Sequence, residues 1–274
     1  LRIITQPLFS SEDELRFLFA RLGPSLGLWR AAEIAALCEA DLRPPVLDLG
    51  AGDGLVMARV AARVAARVAI GLDPDAQALR RAEALGLYAR TVAQAVEDAD
   101  LPDGCMETIV SNSVLEHIPR IDLALKAAAR LLRPGGRLVF TAPSDAFSGW
   151  LALPGARYAA ARNRHFAHRN LWSLEEWRRR LAAAGLEVVS ARPYLRRGWV
   201  WLWDVLELLQ MPTVGRAGKR VRLFGRLWRR LPPAVLDRMA RRAARIDFSA
   251  HLPGGGCCIT ARKPSHGSLE DARF

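Results

Sequence analysis

Apolar side chains recur at helical spacing over residues 12–22, at Leu15, Leu18, Phe19 and Leu22, and again over 25–40, at Leu28, Ala31, Ala32 and Ala35. The spacing predicts two N-terminal helices parted by Gly23-Pro24, with Pro44-Pro45 stopping the second. Beyond that point the period changes. The run Val46-Leu47-Asp48-Leu49 reads as a buried strand, Gly50-Ala51-Gly52-Asp53-Gly54 as a turn, and 55 to about 66 as a helix with Arg59 and Arg63 on one face. A second buried strand follows at 68–73. The alternation continues with a helix at 75–86, a short strand at 88–92, a strand at 108–111, a helix at about 121–132 and a strand at 137–141. Arg133-Pro134-Gly135-Gly136 is expected to end that last helix, glycine giving the left-handed cap. After a loop, a helix at 174–184 ends at Gly185 and leads into a strand at 186–191, and 255–262 reads as the final strand. Strands separated by helices imply parallel crossovers, hence an α/β fold with helices on both faces of a mostly parallel sheet.

Composition narrows the class. The 274 residues are 51% hydrophobic, enough for a large core and too apolar for a disordered chain. Cys38, Cys105, Cys257 and Cys258 form no CxxC pair and have no ligand-like histidine spacing, so neither a metal site nor a disulfide framework is expected and a reducing cytoplasm fits. No apolar run reaches the ~20 residues of a spanning helix, and the N-terminal stretch turns acidic where a signal peptide would turn apolar. The net charge of +12 would suggest a nucleic-acid binder if it were spread evenly. Acidic and basic residues nearly balance over 1–150, however, and the excess is concentrated in 193–253. Arginine so outnumbers lysine that coding composition explains the choice of residue, though not its location.

A strand that runs into Asp48-Leu49-Gly50-Ala51-Gly52-Asp53-Gly54 and opens a helix is expected to set unshielded backbone N–H groups beside a nucleotide-like ligand. A dinucleotide fingerprint needs glycine where Leu55 stands, so the spacing argues against NAD. Asp73 closes the next strand, where a carboxylate can accept both hydroxyls of a ribose; the plainer reading is a helix cap, which Pro74 also suits. With these stretches in place the chain resembles the class I S-adenosylmethionine-dependent methyltransferases, in their methyltransferase-11-like branch. VLDLGAGDG at 46–54, GLDPD at 71–75, VEDADLPDG at 96–104, SNSVLEHI at 111–118 and LLRPGGRLVFTAPS at 131–144 carry the resemblance, in order, over roughly residues 26–192.

The resemblance implies a Rossmann-like seven-stranded, mostly parallel sheet and S-adenosylmethionine as cofactor. It implies that Gly50, Ala51 and Gly52, flanked by Asp48 and Gly54, face the methionine portion, with Asn112 beside the amino-acid end. Asp73 with Pro74 would hold the ribose, and either Glu97 or Asp98 the adenine. The catalytic candidates are His168, His117 and His165. His168 falls in HRNLWSLEEWRRRLAAAGLEV, similar to a family element that lies over the pocket, and is the first choice for a base; a loop-bridging role is an equal alternative. His117 falls in LEHI, common to family members with different substrates, and orienting the adjoining loop is its plainer reading. No (D/N/S)PP(Y/F/W) loop follows the fourth strand and no cysteine sits after proline, so amino-base and cytosine-C5 methylation of nucleic acid are disfavoured.

The chain divides into N-terminal helices at 1–44, a cofactor core at 45–192 with 254–263, a basic, Trp-rich insertion at 193–253 and a tail at 264–274. Within the insertion, 198–209 is apolar except for Asp204 and Glu207, which share one side of a helix. KRVRLFGRLWRRL at 219–231 forms a basic amphipathic pattern: a lid over the pocket, or a helix at an anionic bilayer surface, with contact through 199–231. Together these features predict methyl transfer, favouring oxygen, to a small hydrophobic or lipid-linked acceptor, in a cytoplasmic protein that can sit at the membrane periphery. An RNA methyltransferase that uses the basic half, and a binding module that has lost transfer, are the alternatives.

Overall fold

The computed structural model describes residues 1–65, 67–210, 213–214, 221–222 and 231–265. In chain order the elements are β1 (Arg2–Ile3), α1 (Glu12–Leu22), α2 (Pro24–Cys38), β2 (Val46–Leu49), α3 (Leu55–Val64), β3 (Val68–Leu72), α4 (Ala76–Glu83), β4 (Tyr88–Val92), β5 (Met106–Asn112), α5 (Ile121–Leu131), β6 (Leu132–Pro143), α6 (Ala156–His165), α7 (Leu174–Ala183), β7 (Glu187–Tyr194), α8 (Arg197–Gln210), β8 (Thr213–Val214), β9 (Val221–Arg222), α9 (Pro233–Ala243) and β10 (Gly256–Arg262). Ten of these form the expected alternation from β2 to β7.

The main sheet has the order β1-β7-β10-β6-β5-β2-β3-β4. Strands β6, β5, β2, β3 and β4 run parallel, and β10 is antiparallel to both β6 and β7. Alternation within the strands feeds two cores. Leu47, Leu49, Ile109, Leu138 and Phe140 point to one face, which α5 and α7 cover with Leu125, Leu131, Trp177 and Leu181. Val46, Val110 and Val139 point to the other, under α1, α2, α3, α8 and α9, where Phe19, Trp29, Ile34, Val60 and Trp203 pack. Burial on both faces is why these strands read as near-continuous apolar runs.

Four expectations need correction. The sheet has eight strands rather than seven, because β1 adds a parallel edge through Arg2 opposite Ser190 and Ile3 opposite Ala191. Gly135 does not cap α5: the helix closes at Leu131, Leu132 already begins β6, and Gly135 instead uses φ +81° to turn within the strand while its N–H reaches the Lys263 carbonyl at 2.9 Å. The loop before 174 contains an unpredicted helix, α6. Of the helix predicted at 219–231, Val221 and Arg222 are extended and pair antiparallel with Thr213 and Val214, where cross-strand hydrogen bonding replaces a helical turn. The remainder of that segment up to 230 lies outside the described residues.

Candidate active site

The strand order reverses at β2: the connection through α3 leads to β3 on one side, whereas β5 lies on the other. A crevice at the carboxyl ends of strands on either side of such a switch point is where open α/β sheets bind ligands. The glycine turn sits here. Gly50, Gly52 and Gly54 have φ of +77°, +55° and +75°. At Gly50 a Cβ would lie 2.3 Å from a methyl of Val114, whereas at Gly52 it would meet no protein atom within 4 Å. Most of the turn's N–H groups are already engaged within the protein, contrary to expectation. Gly50 and Ala51 donate to the Leu72 carbonyl, Gly52 to Asp73, Gly54 to the Ala51 carbonyl and Leu55 to the Asp53 carboxylate. A pyrophosphate would demand those donors; a sulfonium does not.

Two cavities meet at Gly50 and Val114. The first, about 410 Å³, is lined by Leu72, Asp73, Pro74, Gln94, Val96 and Glu97 among others. Asp73 accepts from Gly52 N–H at 2.9 Å and Asp75 N–H at 2.8 Å, so the carboxylate is held rigidly with lone pairs left over. The helix cap is Asp75, which accepts from the N–H groups of Gln77 and Ala78. Glu97 lies on the lining and within 3.2 Å of Arg120, whereas Asp98 is two-thirds exposed and off it. The second cavity, about 270 Å³, is lined by Asp48, Gly50, Ala51, Gly52, Asn112 and Arg30 among others. Gly54 is off the lining, capping α3 with its α-carbon against Leu85, Ala82 and Tyr88. The residues fit an adenosyl sulfonium: Glu97 would stand at the adenine end, Asp73 beside the ribose, and the Arg30 guanidinium toward the carboxylate at the other end.

Beyond Arg30 and Ser113, which line both, lies a third cavity of about 490 Å³. Its wall carries Trp29, Phe147, Phe166 and Trp203, together with Glu116 and all three candidate histidines. His168 stacks between His117 and Phe166, with ring centroids 5.5 and 5.6 Å away, and takes the edge of Phe147 at 5.2 Å. Burial and the neighbouring His117 push its pKa down to about 4, so the ring is neutral at pH 7. His117 bonds through Nδ1 to the Ala167 carbonyl at 3.2 Å, and burial lowers its pKa too. His165 is exposed, at the cavity's mouth. Three buried polar atoms of this wall, Glu116 Oε2, His168 Nδ1 and Trp203 Nε1, have no hydrogen-bond partner among the described residues. Facing a cavity, such orphans suit a binding site.

Glu33 escaped the sequence reading, as did the roles of the other supporting carboxylates. Glu33, on the largely apolar α2 and fully buried, accepts from Trp29 Nε1 at 2.8 Å, from Arg30, from Asn112 Nδ2 at 3.2 Å and from Ser113 Oγ. Ser113 itself adopts φ +50°, an uncommon conformation for a residue with a Cβ, at the end of β5. Asp204 and Glu207 face inward, the reverse of a solvated acidic side: Asp204 binds Arg162, Tyr158 and the Ala152 N–H, and Glu207 accepts from Ser25 at 2.5 Å. Glu116, within the quoted LEHI stretch, could have been picked out by its place between the cofactor end of β5 and the candidate histidines. Its backbone carbonyl accepts from Arg169 and Asn170 N–H, and Asn170 returns bonds to the Leu115 and Ile118 carbonyls. This segment therefore ties down the His168 loop.

Desolvation holds the Asp48 carboxyl up at about 7, against a hydrogen bond from Tyr88 that lowers it, and the Glu116 carboxyl at about 8. Both exceed the ordinary values of 3.8 and 4.5, so the folded protein keeps protons that the unfolded chain releases. Their stabilisation is complete below about pH 4 and is lost as pH rises through about 4 to 8, by up to about 1.4 kcal/mol per pH unit for each group. Thermal melts of the cofactor-free protein should fall across that window, and Asp48→Asn combined with Glu116→Gln should flatten the fall.

Taken together, the strand order, the inward-folded glycine turn and the carboxylate after β3 define a class I S-adenosylmethionine-dependent methyltransferase. Residues 14–191 match the family model described as a methyltransferase domain, and the chain belongs to that family. It is 37% identical over 120 residues to a ubiquinone biosynthesis O-methyltransferase from Xanthomonas euvesicatoria pv. vesicatoria, covering 42% of this chain and 50% of the relative. It is 39% identical over 104 residues to an uncharacterised methyltransferase from Mycobacterium tuberculosis, covering 36% and 52%. The chain thus spans about half the length of the curated relatives it matches. Among solved structures, the fold is shared with a geranyl diphosphate methyltransferase in complex with S-adenosylmethionine (TM-score 0.55, 17% identity, 96% of this chain and 99% of that one) and with the [4+2]-cyclase SpnF (TM-score 0.57, 18% identity, 95% and 100%).

Proposed function

We propose that this protein transfers a methyl group from S-adenosylmethionine to a hydroxyl of a small, largely apolar acceptor, aromatic or lipid-linked. The observation that carries this is the third cavity. It opens from the methionine-sized one at Arg30 and Ser113, its walls are aromatic, and its orphaned polar atoms suit an acceptor with one or two oxygens. The printed name of the Xanthomonas relative, an O-methyltransferase of ubiquinone biosynthesis, points the same way. When bound, the cofactor supplies an already activated methyl group, so the protein's tasks are to align the acceptor oxygen and to exclude water. Trp203 of α8 and Trp29 of α2 do the excluding, Trp203 Nε1 donates to the reacting oxygen, and His168 Nδ1 accepts a hydrogen bond from a second hydroxyl of the acceptor.

A membrane contribution has one observation of its own: Trp201 and Leu209 are about half exposed on α8 while Trp203 covers the cavity. Among the described residues no helix is long and apolar enough to cross a membrane. The experiment is to incubate the protein with a cell extract and radiolabelled methyl donor, then separate organic-soluble material from RNA. Label should enter the organic phase, and His168→Ala should lower it about 3–10-fold, the worth of one neutral hydrogen bond. Label confined to RNA would reject the reading. Co-sedimentation with anionic vesicles, weakened by Trp201→Ala, tests the membrane contact.

A further inference from the structure

We propose that Glu116 receives the proton released by the acceptor hydroxyl. The inference rests on the hydroxyl-acceptor reading and moves the proton from His168, the first choice in the sequence, to a carboxylate. Glu116 is 1% exposed, it lines the third cavity, and its Oε2 has no partner among the described residues although its Oε1 lies 3.7 Å from His117 Nε2. A carboxylate oxygen kept dry and unpaired beside an aromatic pocket is costly unless something binds there. Ser113, three residues before it, lines both the acceptor and methionine cavities, so an oxygen within reach of Glu116 stands close to the junction where the methyl group must pass.

His168 is the weaker proton sink. Its ring sits among Phe166, Phe147 and His117, surroundings that oppose a positive charge, whereas a carboxyl gains stability by becoming neutral in the same place. The charge balance also favours the carboxylate. As the acceptor oxygen forms its bond to the methyl carbon, its O–H bond breaks and the proton passes to Oε2. The pair of the broken C–S bond stays on sulfur. A cation and a carboxylate are thereby replaced by a neutral thioether and a neutral carboxylic acid inside one dry enclosure. The charged and titratable groups facing Glu116 are Arg30 and Glu33 from α2, Tyr194 from β7, His117 beside it in the chain, and His168 across the cavity. Burial opposes the carboxylate most, Glu33 opposes it further and Arg30 favours it.

The test uses 4-tert-butylcatechol, an apolar diol, as acceptor probe with S-adenosylmethionine in single turnover across pH, and carboxyl-13C glutamate NMR of the protein loaded with S-adenosylhomocysteine. In the wild-type chain transfer should rise to a plateau with an apparent pKa near 8, and one glutamate should titrate there. Glu116→Gln should lose that resonance and the plateau, and slow transfer by about 10²–10⁴-fold, while calorimetric binding of S-adenosylhomocysteine stays unchanged. A Glu116→Gln variant with wild-type rate and profile would overturn the inference alone. Should that variant fail to fold, the wild-type spectrum still decides: all glutamates titrating near about 4 would overturn it. No transfer to the probe by the wild-type chain would overturn the hydroxyl-acceptor reading, and this inference with it.

Discussion

Replacing Asp73 with alanine is expected to weaken binding of S-adenosylhomocysteine by about 10²–10⁴-fold, because in the cofactor pose we propose two charge-assisted hydrogen bonds to ribose hydroxyls, at about 1.5–3 kcal/mol each, disappear together. The carboxylate is preorganised for that role: its two oxygens are already fixed by the N–H groups of Gly52 and Asp75. Alanine there also frees the Gly52 N–H, so the glycine turn loses the tie that folds its donors inward. Isothermal calorimetry measures the effect, with Asp98→Ala as the comparison. Asp98 is two-thirds exposed and its only ionic neighbour among the described residues is Arg120 at 3.6 Å, so its removal should leave affinity within about twofold. Equal losses in the two variants would mean that the adenosyl group lies elsewhere.

Arg162→Met is expected to cost about 3–5 kcal/mol of folding stability, the penalty of stranding Asp204 as a buried charge. The guanidinium approaches Asp204 at 2.7 Å with both groups almost wholly buried, and lies over the rings of Phe166 and Trp203. Tyr158 and the Ala152 N–H remain bonded to the carboxylate but bring no charge. Urea titration reads the loss directly. The double variant Arg162→Met, Asp204→Leu should recover most of it, since removing both charges removes the desolvation penalty along with the attraction. Recovery matters for function as well, because α6 and α8 hold Phe166 and Trp203 over the third cavity.

The parts of the molecule that sequence made legible are those governed by periodicity and by turn chemistry. Leu47 and Leu49 on one face and Val46 on the other, followed by glycines that need positive φ, admit few readings, and the alternation of strands and helices along the chain followed from such runs. Other parts leave no such trace. β1 is two residues long and exposed, so nothing in Arg2-Ile3 distinguishes a sheet edge from a tail. In α6 the buried member is Arg162, and a hydrophobic period cannot register a helix whose inward contact is an ion pair. The same blindness hid Glu33, which interrupts an apolar face and gathers Trp29, Asn112 and Ser113 into one hydrogen-bonded knot. Glu97 and Asp98 are neighbours of one chemical kind, and only the short 3-10 turn at Val96–Asp98 separates the one on the cavity from the one in solvent. Glu116 was in view as part of a motif, but its significance lies in an unpaired oxygen, which is a property of three-dimensional packing.

Strand β7 leaves the sheet at Tyr194 and β10 re-enters at Gly256, and these two residues are partners on the same rung. The excursion over 195–255 is therefore anchored at both ends on one doorstep, at the edge of the sheet away from the glycine turn and Asp73. Its contents can be exchanged provided Asp204 and Glu207, which pair with Arg162 and Ser25 outside it, are kept. Grafting this stretch from a relative with a different acceptor should redirect what is methylated while the donor is held with unaltered strength, a separation of roles that lets one engine acquire new clients.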